Sequence, residues 1–371
     1  MSVFAYYDAD TDATVYHVMP GTESEYEPST FSSETDSAST SMTIQSDELP
    51  GYFIVRHGRP QPANVNAPKW FPSDNIQRYV IRYLVNKSFF GGDYSGPVKE
   101  ILSPVKGRER HALELGTRTG TWIQAVASEF PHVQFRTLDL VPMISHVQRH
   151  NVTFEVYDFT GQILLEDESQ DVVFLNFALE VVSDYRALLR EAYRVLRPGG
   201  LIHIKDFIPE LWDPEDVTEL PQRTNANPQR CRFNEIIRQM VSRMGVDPDT
   251  CDKLPQWLAQ DSGLWDKGQR GFKDIQSHIR VIPYFPHDSH SYASVIDPIM
   301  FPYMRRLAVV CLRDMTGLVK DYGLTDEEAI RLIDGVVEEL EKPEGCTFRL
   351  NESEQFVQSK LVGVSVVKTS T

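Results

Sequence analysis

Strand-like and helix-like segments alternate between residues 111 and 207, and this alternation constrains the fold more than any other feature of the chain. Short apolar runs typical of strands lie at 111–115, 133–140, 152–159, 171–178 and 201–207. Segments with helical spacing lie between them at 121–129 and 184–196. Strands interleaved with helices of this length form βαβ units, which need a parallel sheet. We therefore predict an α/β domain.

The first of these strands runs into a glycine-containing turn, and a helix follows at once. The segment reads HALELGTRTGTW, with glycines at 116 and 120. Gly116 can take the positive φ that such a turn often needs, and Gly120 lets the helix pack closely on the strand. The free N–H groups at the helix start favour an anion, here a carboxylate. Glu114 ends the strand, and we expect it to point towards the crevice.

An acidic residue, Asp139, lies nineteen residues after Gly120, at the end of the second strand. A carboxylate there can accept hydrogen bonds from both hydroxyls of a ribose. The dinucleotide fingerprint GxGxxG needs three glycines, and only two are present. This spacing disfavours an NAD-dependent enzyme.

The turn resembles the first motif, (D/E)xGxGxG, of the class I methyltransferases that use S-adenosylmethionine (SAM). Glu114, Gly116 and Gly120 match it, whereas Arg118 replaces the middle glycine. The resemblance implies a Rossmann-like fold with a seven-stranded mixed sheet, helices on both faces, a helical cap, and SAM as cofactor. An arginine at this position must project away, pair with the methionine carboxylate of SAM, or obstruct the site.

Further segments follow in the order of that family. Asp158 and Phe159, after the third strand, match positions that contact the adenine amino group and stack on its ring. Asn176 matches the exit of the fourth strand, and REAYRVLRPGG matches the helix and turn before the fifth. The resemblance therefore implies these cofactor-binding residues: Glu114, Gly116, Thr117, Arg118, Gly120, Asp139, Asp158, Phe159 and Asn176.

Segments outside the alternating region resemble a fungal subgroup, the LaeA-like proteins. WFPSD at 70–74, followed by a helical segment at about 74–88, is similar to the FPND-type segment of that group. Trp122 and the segment at 323–340 fit it too. The resemblance covers roughly residues 50–360 and implies fungal secondary metabolism. Two functions stay open: methyl transfer from SAM to a small molecule, and a regulatory protein acting through protein partners with weak or no methyl transfer.

The negative charge of the chain is concentrated at its start. Residues 1–50 contain 10 acidic residues, 16 Ser/Thr and no Lys or Arg, whereas the remainder holds 43 acidic and 37 basic residues. Such a segment has little to bury, so we predict a disordered acidic tail over residues 1–50 and a candidate contact there for protein partners. The rest has no basic stripe, so we expect no direct nucleic-acid partner.

No apolar run reaches the length of a membrane helix, and the first residues lack the features of a secretory signal. The four cysteines are widely spaced, which favours a reducing compartment. We therefore expect an intracellular protein without a membrane partner, cytoplasmic rather than nuclear.

Four side chains are candidates for catalysis or acceptor binding. His203, at the end of the fifth strand, and Glu180, after the fourth, are candidates for the general base, with packing under the cap and helix capping as the alternatives. Trp257 and Trp265 either line an apolar acceptor cavity or belong to the core. His287 and His290 offer only two ligands, so we predict no metal site.

These observations divide the chain into the tail and a SAM-dependent methyltransferase domain over 51–371. A cap is inserted at about 209–271. We predict further helices at 233–244, 301–322 and 325–340, and strands at 275–285 and roughly 346–362.

Overall fold

The computed structural model describes residues 2–8, 13–19, 42–44, 49–144, 146–147, 149–207, 210–211, 227–260, 262–266, 269, 271–283, 285, 296–342 and 347–357.

Within these ranges there are twelve strands, ten of them in one sheet and two in a hairpin. In chain order they are β1 (Ser2–Asp8), β2 (Ala13–Met19), β3 (Met42–Ile44), β4 (Phe53–Arg56), β5 (Arg59–Pro62), β6 (Arg110–Leu115), β7 (Val133–Asp139), β8 (Val152–Val156), β9 (Gln170–Asn176), β10 (Leu196–Phe207), β11 (Phe272–Pro283) and β12 (Thr347–Val357).

The large sheet is built around five parallel strands in the spatial order β10-β9-β6-β7-β8. Beyond β10, strands β12 and β11 complete one edge by antiparallel pairing. The chain moves from β6 outwards to β7 on one side and later returns to β9 on the other. This reversal opens a crevice at the carboxyl ends of β6 and β9, where open α/β sheets bind ligands.

The predicted Rossmann-like mixed sheet is confirmed, but its strand count of seven is too low. Strands β6 to β12 are the seven that the resemblance implies. The described residues add β2, β1 and β3 beyond β8, where Tyr16 and His17 pair with Val156 and Glu155. Of the segment predicted as a disordered tail, the structure describes these three strands and residues 49–50, and the remainder lies outside the described residues.

Nine α-helices lie in the same described ranges. They are α1 (Ile76–Phe90), α2 (Val98–Leu102), α3 (Thr121–Glu129), α4 (Tyr185–Val195), α5 (Pro228–Arg243), α6 (Thr250–Leu258), α7 (Phe301–Asp314), α8 (Thr316–Asp321) and α9 (Asp326–Leu340).

The helices cover both faces of the sheet because strand side chains alternate between them. On β6, Ala112 packs into a core with α2 and α3, whereas Leu113 and Leu115 pack into a larger core with α4 to α9. The strands are apolar on both faces, as expected for parallel strands covered on both sides. The site is therefore held on a framework that is buried from two directions.

The segment before α1 is anchored to the sheet by Trp70. This side chain is only 1% exposed, donates its indole N–H to the Leu179 carbonyl at 2.9 Å, and meets the Phe207 ring edge-on. Asn75 then caps α1 by accepting from the Arg78 N–H. The predicted helix at about 74–88 is confirmed in type and is shifted by two residues.

The helices after β10 form the cap and the wall beside it. The predicted helix at 301–322 is divided into α7 and α8 at Met315, whereas α9 begins with the predicted capping box of Thr325 and Glu328. Helix α6 was not predicted, because Pro255 interrupts its pattern.

Candidate cofactor and acceptor site

The turn after β6 needs glycine at two positions, because each has a positive φ and a close neighbour. Gly116 has φ 98°, and a Cβ there would come within 3.0 Å of the Asn176 carbonyl oxygen. Gly120 has φ 66°, and a Cβ there would come within 2.5 Å of His146 Nδ1. The turn thus packs against the end of β9 on one side and against the loop after β7 on the other. Helix α3 begins directly after the turn.

Glu114 lies at the base of the crevice and is 1% exposed. Its carboxyl group accepts hydrogen bonds from Thr137 Oγ1 at 2.6 Å and from Asn176 Nδ2 at 3.1 Å. Burial raises the pKa of Glu114 to about 8, although these two hydrogen bonds oppose the shift. At neutral pH the side chain is therefore largely protonated.

Asp139 is buried at the end of β7, and both of its oxygens are engaged. The backbone N–H of Arg118 donates to Oδ2 at 2.7 Å, and that of Leu140 donates to Oδ1 at 2.7 Å. Arg118 Nη1 approaches Oδ1 at 3.2 Å and forms a buried ion pair. The acid predicted to hold a ribose is thus paired with the arginine that replaces the family glycine.

A second buried carboxylate, Glu180, lies on the other side of Arg118. It forms an ion pair with Arg82 and approaches Arg118 Nη2 at 3.5 Å. Burial alone would raise the pKa of Glu180, but Arg82, Arg118 and Arg78 together lower it below its usual value. A carboxylate held this firmly in its charged form is a poor general base.

Two cavities meet at Arg118. The first, which we call the glycine-loop cavity, lies over Glu114, Gly116 and Thr117. The second, which we call the rear cavity, is lined by Asp139. Tyr79 and Arg118 line both, so these two residues lie between the cavities.

The glycine-loop cavity carries groups that fit an amino-acid zwitterion. Arg82, Lys87 and Lys205 supply positive charge for a carboxylate, and Asp93 supplies carboxylate oxygens for an ammonium group. The rear cavity adds Asp139 with Tyr79 and apolar neighbours, which fit a ribose and a flat base. The residues present therefore fit SAM: those around the glycine turn would hold its methionine half, and Asp139 with its neighbours would hold its nucleoside half.

A third cavity, which we call the apolar cavity, opens beside the first. It shares Arg82, Asn86 and Phe177 with the glycine-loop cavity, and it shares Glu180 with the rear cavity. Its remaining wall is mostly apolar and comes from α1, α5, α7 and the end of β10; it includes Val85, Phe207, Leu211, Phe233, Met304, Leu307, Leu312 and Met315.

The structure brings most of the predicted cofactor residues together, but not Asp158 and Phe159. Asp158 is exposed and accepts hydrogen bonds from the N–H and hydroxyl of Thr160. Phe159 is 1% exposed and packs edge-on against Tyr157 in the core. The physical reason is that β8 ends at Val156, before these residues. Val141, Met143 and Val181 line the rear cavity instead.

The two predicted general bases, His203 and Glu180, lie in surroundings that differ from each other. His203 is fully buried, with Nε2 3.2 Å from the Ser95 hydroxyl and its ring against Phe174, and it lines none of the three cavities. This placement fits the alternative to a catalytic role, in which His203 is a packing residue. Glu180 does reach the apolar and rear cavities, as a paired carboxylate.

Trp257 and Trp265 line none of the cavities described above. Trp265 packs against Tyr193 and Phe272 and donates to the Ala259 carbonyl at 2.8 Å. Trp257 lies under the Arg186 guanidinium. Both pack against the large core, so the acceptor-binding assignment does not match their position. His287 and His290 lie outside the described residues.

Sequence reasoning missed the contribution of α1. Tyr79, Arg82, Tyr83 and Asn86 line the glycine-loop cavity from this helix. Their spacing of three and four residues places them on one helical face, so polar and aromatic residues at that spacing were the available signal. The apolar periodicity of the same helix indicates only its core-facing side.

No helix in the described part of the chain is long and apolar enough to cross a membrane. Among the same residues, no cluster of three or more His, Cys, Asp or Glu side chains is arranged to hold a metal ion.

Comparison with known proteins agrees with this geometry. Residues 113–204 match the family model described as a methyltransferase domain. The chain contains a class I, SAM-dependent methyltransferase domain. The matched range begins within β6 and ends within β10, so it contains the glycine turn, Asp139 and Asn176.

Among curated proteins, this methyltransferase is 25% identical to "Secondary metabolism regulator laeA" of Coprinopsis cinerea, over 85% of this chain and 74% of that protein. It is 23% identical to "Methyltransferase pytC" of Aspergillus terreus, over 67% of this chain and 70% of that one. Among solved structures, it is similar to a phosphoethanolamine N-methyltransferase of Haemonchus contortus, with a TM-score of 0.41, 16% identity, and coverage of 81% of this chain and 62% of that chain.

Proposed function

We propose that this methyltransferase transfers a methyl group from SAM to a mainly apolar small molecule of secondary metabolism. The observation that carries the proposal is the mostly apolar lining of the third cavity, which adjoins the glycine-loop cavity through Arg82, Asn86 and Phe177. A concave, largely apolar cavity with few polar groups is typical of small-molecule sites. The two curated relatives, one named for secondary metabolism, support the biological setting.

The chain's own residues would hold the cofactor in two places. Arg82, Lys87 and Lys205 would bind the methionine carboxylate, and Asp139 would accept hydrogen bonds from the ribose. SAM supplies an already activated methyl group on its sulfonium. The protein's task is then to place an acceptor atom in line with that methyl, and orientation of this kind accounts for several kcal/mol of barrier lowering.

Orientation rather than proton removal carries the catalysis in this proposal. His203 is buried away from the cavities. Burial raises the pKa of Glu180, but the neighbouring arginines outweigh this effect and lower the pKa below its usual value. Neither side chain is suited to take a proton at neutral pH. We therefore favour acceptors that lose their proton readily, such as phenols and carboxylic acids, over aliphatic alcohols.

The test is transfer of radiolabel from methyl-labelled SAM to a panel of phenols, carboxylic acids and amines extracted into organic solvent. Leu307 lines the apolar cavity, whereas Tyr303 on the same helix is 43% exposed. Leu307→Trp should fill the cavity and abolish labelling, with binding of S-adenosylhomocysteine retained. Tyr303→Trp should label as the wild type does. Equal labelling by both variants would show that the acceptor binds elsewhere.

A second candidate function is that of a regulatory protein with weak or no methyl transfer. The observation that favours it is the Arg118–Asp139 ion pair, which occupies the ribose-binding carboxylate in the chain as it folds alone. The relative named as a regulator supports it as well. Binding of SAM without label transfer to any member of the panel, together with co-purification of a partner protein, would favour this function.

A further inference from the structure

Arg118 engages the acid that would bind the ribose through two separate contacts. Its backbone N–H donates to Asp139 Oδ2 at 2.7 Å, and its guanidinium Nη1 lies 3.2 Å from Oδ1. The first contact is available to any residue at this position, including glycine. The second exists only because the residue is arginine.

The backbone at Arg118 adopts a conformation that disfavours a side chain. Its φ is 52°, in the left-handed region that glycine enters without cost. The methyltransferase motif has glycine here, so the loop keeps the glycine-like shape while carrying a long cation. The side chain is therefore added to an otherwise ordinary glycine turn.

The guanidinium is held by incomplete contacts. Its Nε is buried without a hydrogen-bond partner among the described residues, and its Nη2 is 3.5 Å from Glu180 Oε2. Two acceptors, Asp139 and Glu180, thus lie on either side of one cation. A buried donor left unpaired favours any rearrangement that satisfies it.

Arg118 also lies between the glycine-loop cavity and the rear cavity, since it lines both. A ribose bound by Asp139 would compete with the Arg118 guanidinium for Oδ1, which the guanidinium approaches at 3.2 Å. Cofactor binding at Asp139 and the present ion pair therefore oppose each other.

We propose that Arg118 is a gate on the cofactor site. In the unliganded chain it neutralises Asp139 and closes the passage between the two cavities. SAM binds after the guanidinium leaves Asp139 and pairs with Glu180. Since only the open fraction can bind, the apparent affinity is reduced by that fraction.

The competing role, in which Arg118 clamps the methionine carboxylate, has less support. The glycine-loop cavity already contains Arg82, Lys87 and Lys205 for that carboxylate. The Arg118 guanidinium lies instead at Asp139, on the nucleoside side. The two roles predict opposite changes in affinity when the arginine is removed.

The experiment is calorimetric titration of the full chain with S-adenosylhomocysteine and, separately, with adenosine, which lacks the methionine half. Arg118→Gly should bind both ligands more tightly than the wild type, by about tenfold if roughly one molecule in ten is open. Weaker binding of S-adenosylhomocysteine with unchanged adenosine affinity would establish the clamp and overturn the gate. Unchanged affinity for both, or no binding by either protein, would overturn it too.

Arg197→Gly is the matched control. This arginine also pairs with a buried aspartate, Asp171, but at the opposite side of the sheet, where the parallel strands begin. In the variant, Arg108 and Arg110 still pair with Asp171. Its affinities should equal those of the wild type, and melting curves of both variants report whether each is folded.

Glu180→Gln tests where the guanidinium goes. With the second acceptor weakened, Arg118 should stay on Asp139, and affinity for S-adenosylhomocysteine should fall several-fold. In the Arg118→Gly background the same change should have no further effect. An equal fall in both backgrounds would show that Glu180 is not the partner in the open form.

Discussion

Glu114 is an acid kept largely neutral by its surroundings. It is 1% exposed, and burial raises its pKa to about 8 despite hydrogen bonds from Thr137 and Asn176. In the unfolded chain its pKa would be near the ordinary value of about 4.3. Between these two values the folded state binds a proton that the unfolded state has lost.

This difference fixes the sign of a pH effect. Because the native state binds more protons, the stability contributed at Glu114 falls as pH rises through the window between about 4.5 and about 8. We expect Glu114→Gln, which keeps the hydrogen bonds of a neutral side chain, to remove part of that fall. Urea denaturation should give the variant a free energy of unfolding that exceeds that of the wild type by roughly 1–3 kcal/mol at pH 8.5 and by much less at pH 5.5. An equal difference at both pH values would contradict the assignment.

How far single residues could be predicted depended on where a strand ends. Glu114, Gly116, Arg118 and Asp139 follow directly from β6 and β7, whose ends the apolar pattern located within one residue. The pattern overran the end of β8 by three residues, so Asp158 was placed on a strand that stops at Val156. Alternation predicts direction only while the strand continues.

At the scale of elements, the acceptor side is held by the packing of α1 against α7. Arg78, which is fully buried on α1, forms an ion pair with Asp314 at the end of α7, and Arg59 contacts the same carboxylate. Val85 from α1 and Met304 from α7 then face the apolar cavity. Long-range pairs such as Arg78 and Asp314 leave no signature in a single sequence, so the sequence offers Trp257 and Trp265 as candidates for either the acceptor cavity or the core and does not indicate the α1–α7 wall.

We expect Asp314→Ala to destabilise the fold by about 3–5 kcal/mol, because it leaves the Arg78 charge buried and unpaired. Asp167→Ala is the control: Asp167 is mostly exposed, and its partner Arg194 keeps a contact with Glu191. That change should cost at most about 1 kcal/mol. Chemical denaturation measures both, and equal costs would show that the α1–α7 pair is not a structural anchor.

At the scale of the whole molecule, the described strands of the acidic segment and the three cavities occupy different parts of the sheet. Of the acidic residues 1–50, the described strands β1 to β3 join the sheet at the β8 edge, through β2, whereas the three cavities lie at the carboxyl ends of the central strands and under the helices that follow. The alternating pattern of residues 111–207 predicted this central sheet. The edge strands β1 to β3 were not predicted, because their composition resembles that of a solvated segment.

We expect a chain beginning at Leu49 to keep its melting temperature within a degree or two and its affinity for S-adenosylhomocysteine unchanged, since none of the three cavities includes a residue before Pro62. A chain beginning at Asn75 is the contrasting variant. It lacks Trp70 and its hydrogen bond to Leu179 and should not fold. Loss of several degrees in the first variant would show that the strands of residues 2–44 stabilise the domain.

The central claim is that this chain binds SAM with Asp139 at the ribose. Calorimetric titration of the full chain with S-adenosylhomocysteine tests it most directly, alongside Asp139→Ala and Asp158→Ala. We predict one site in the wild type, binding weaker by about 1–3 kcal/mol in Asp139→Ala, and no change in Asp158→Ala, whose side chain lies outside the cavities. Unchanged affinity in a folded Asp139→Ala variant, or no binding by the wild type, would contradict the account.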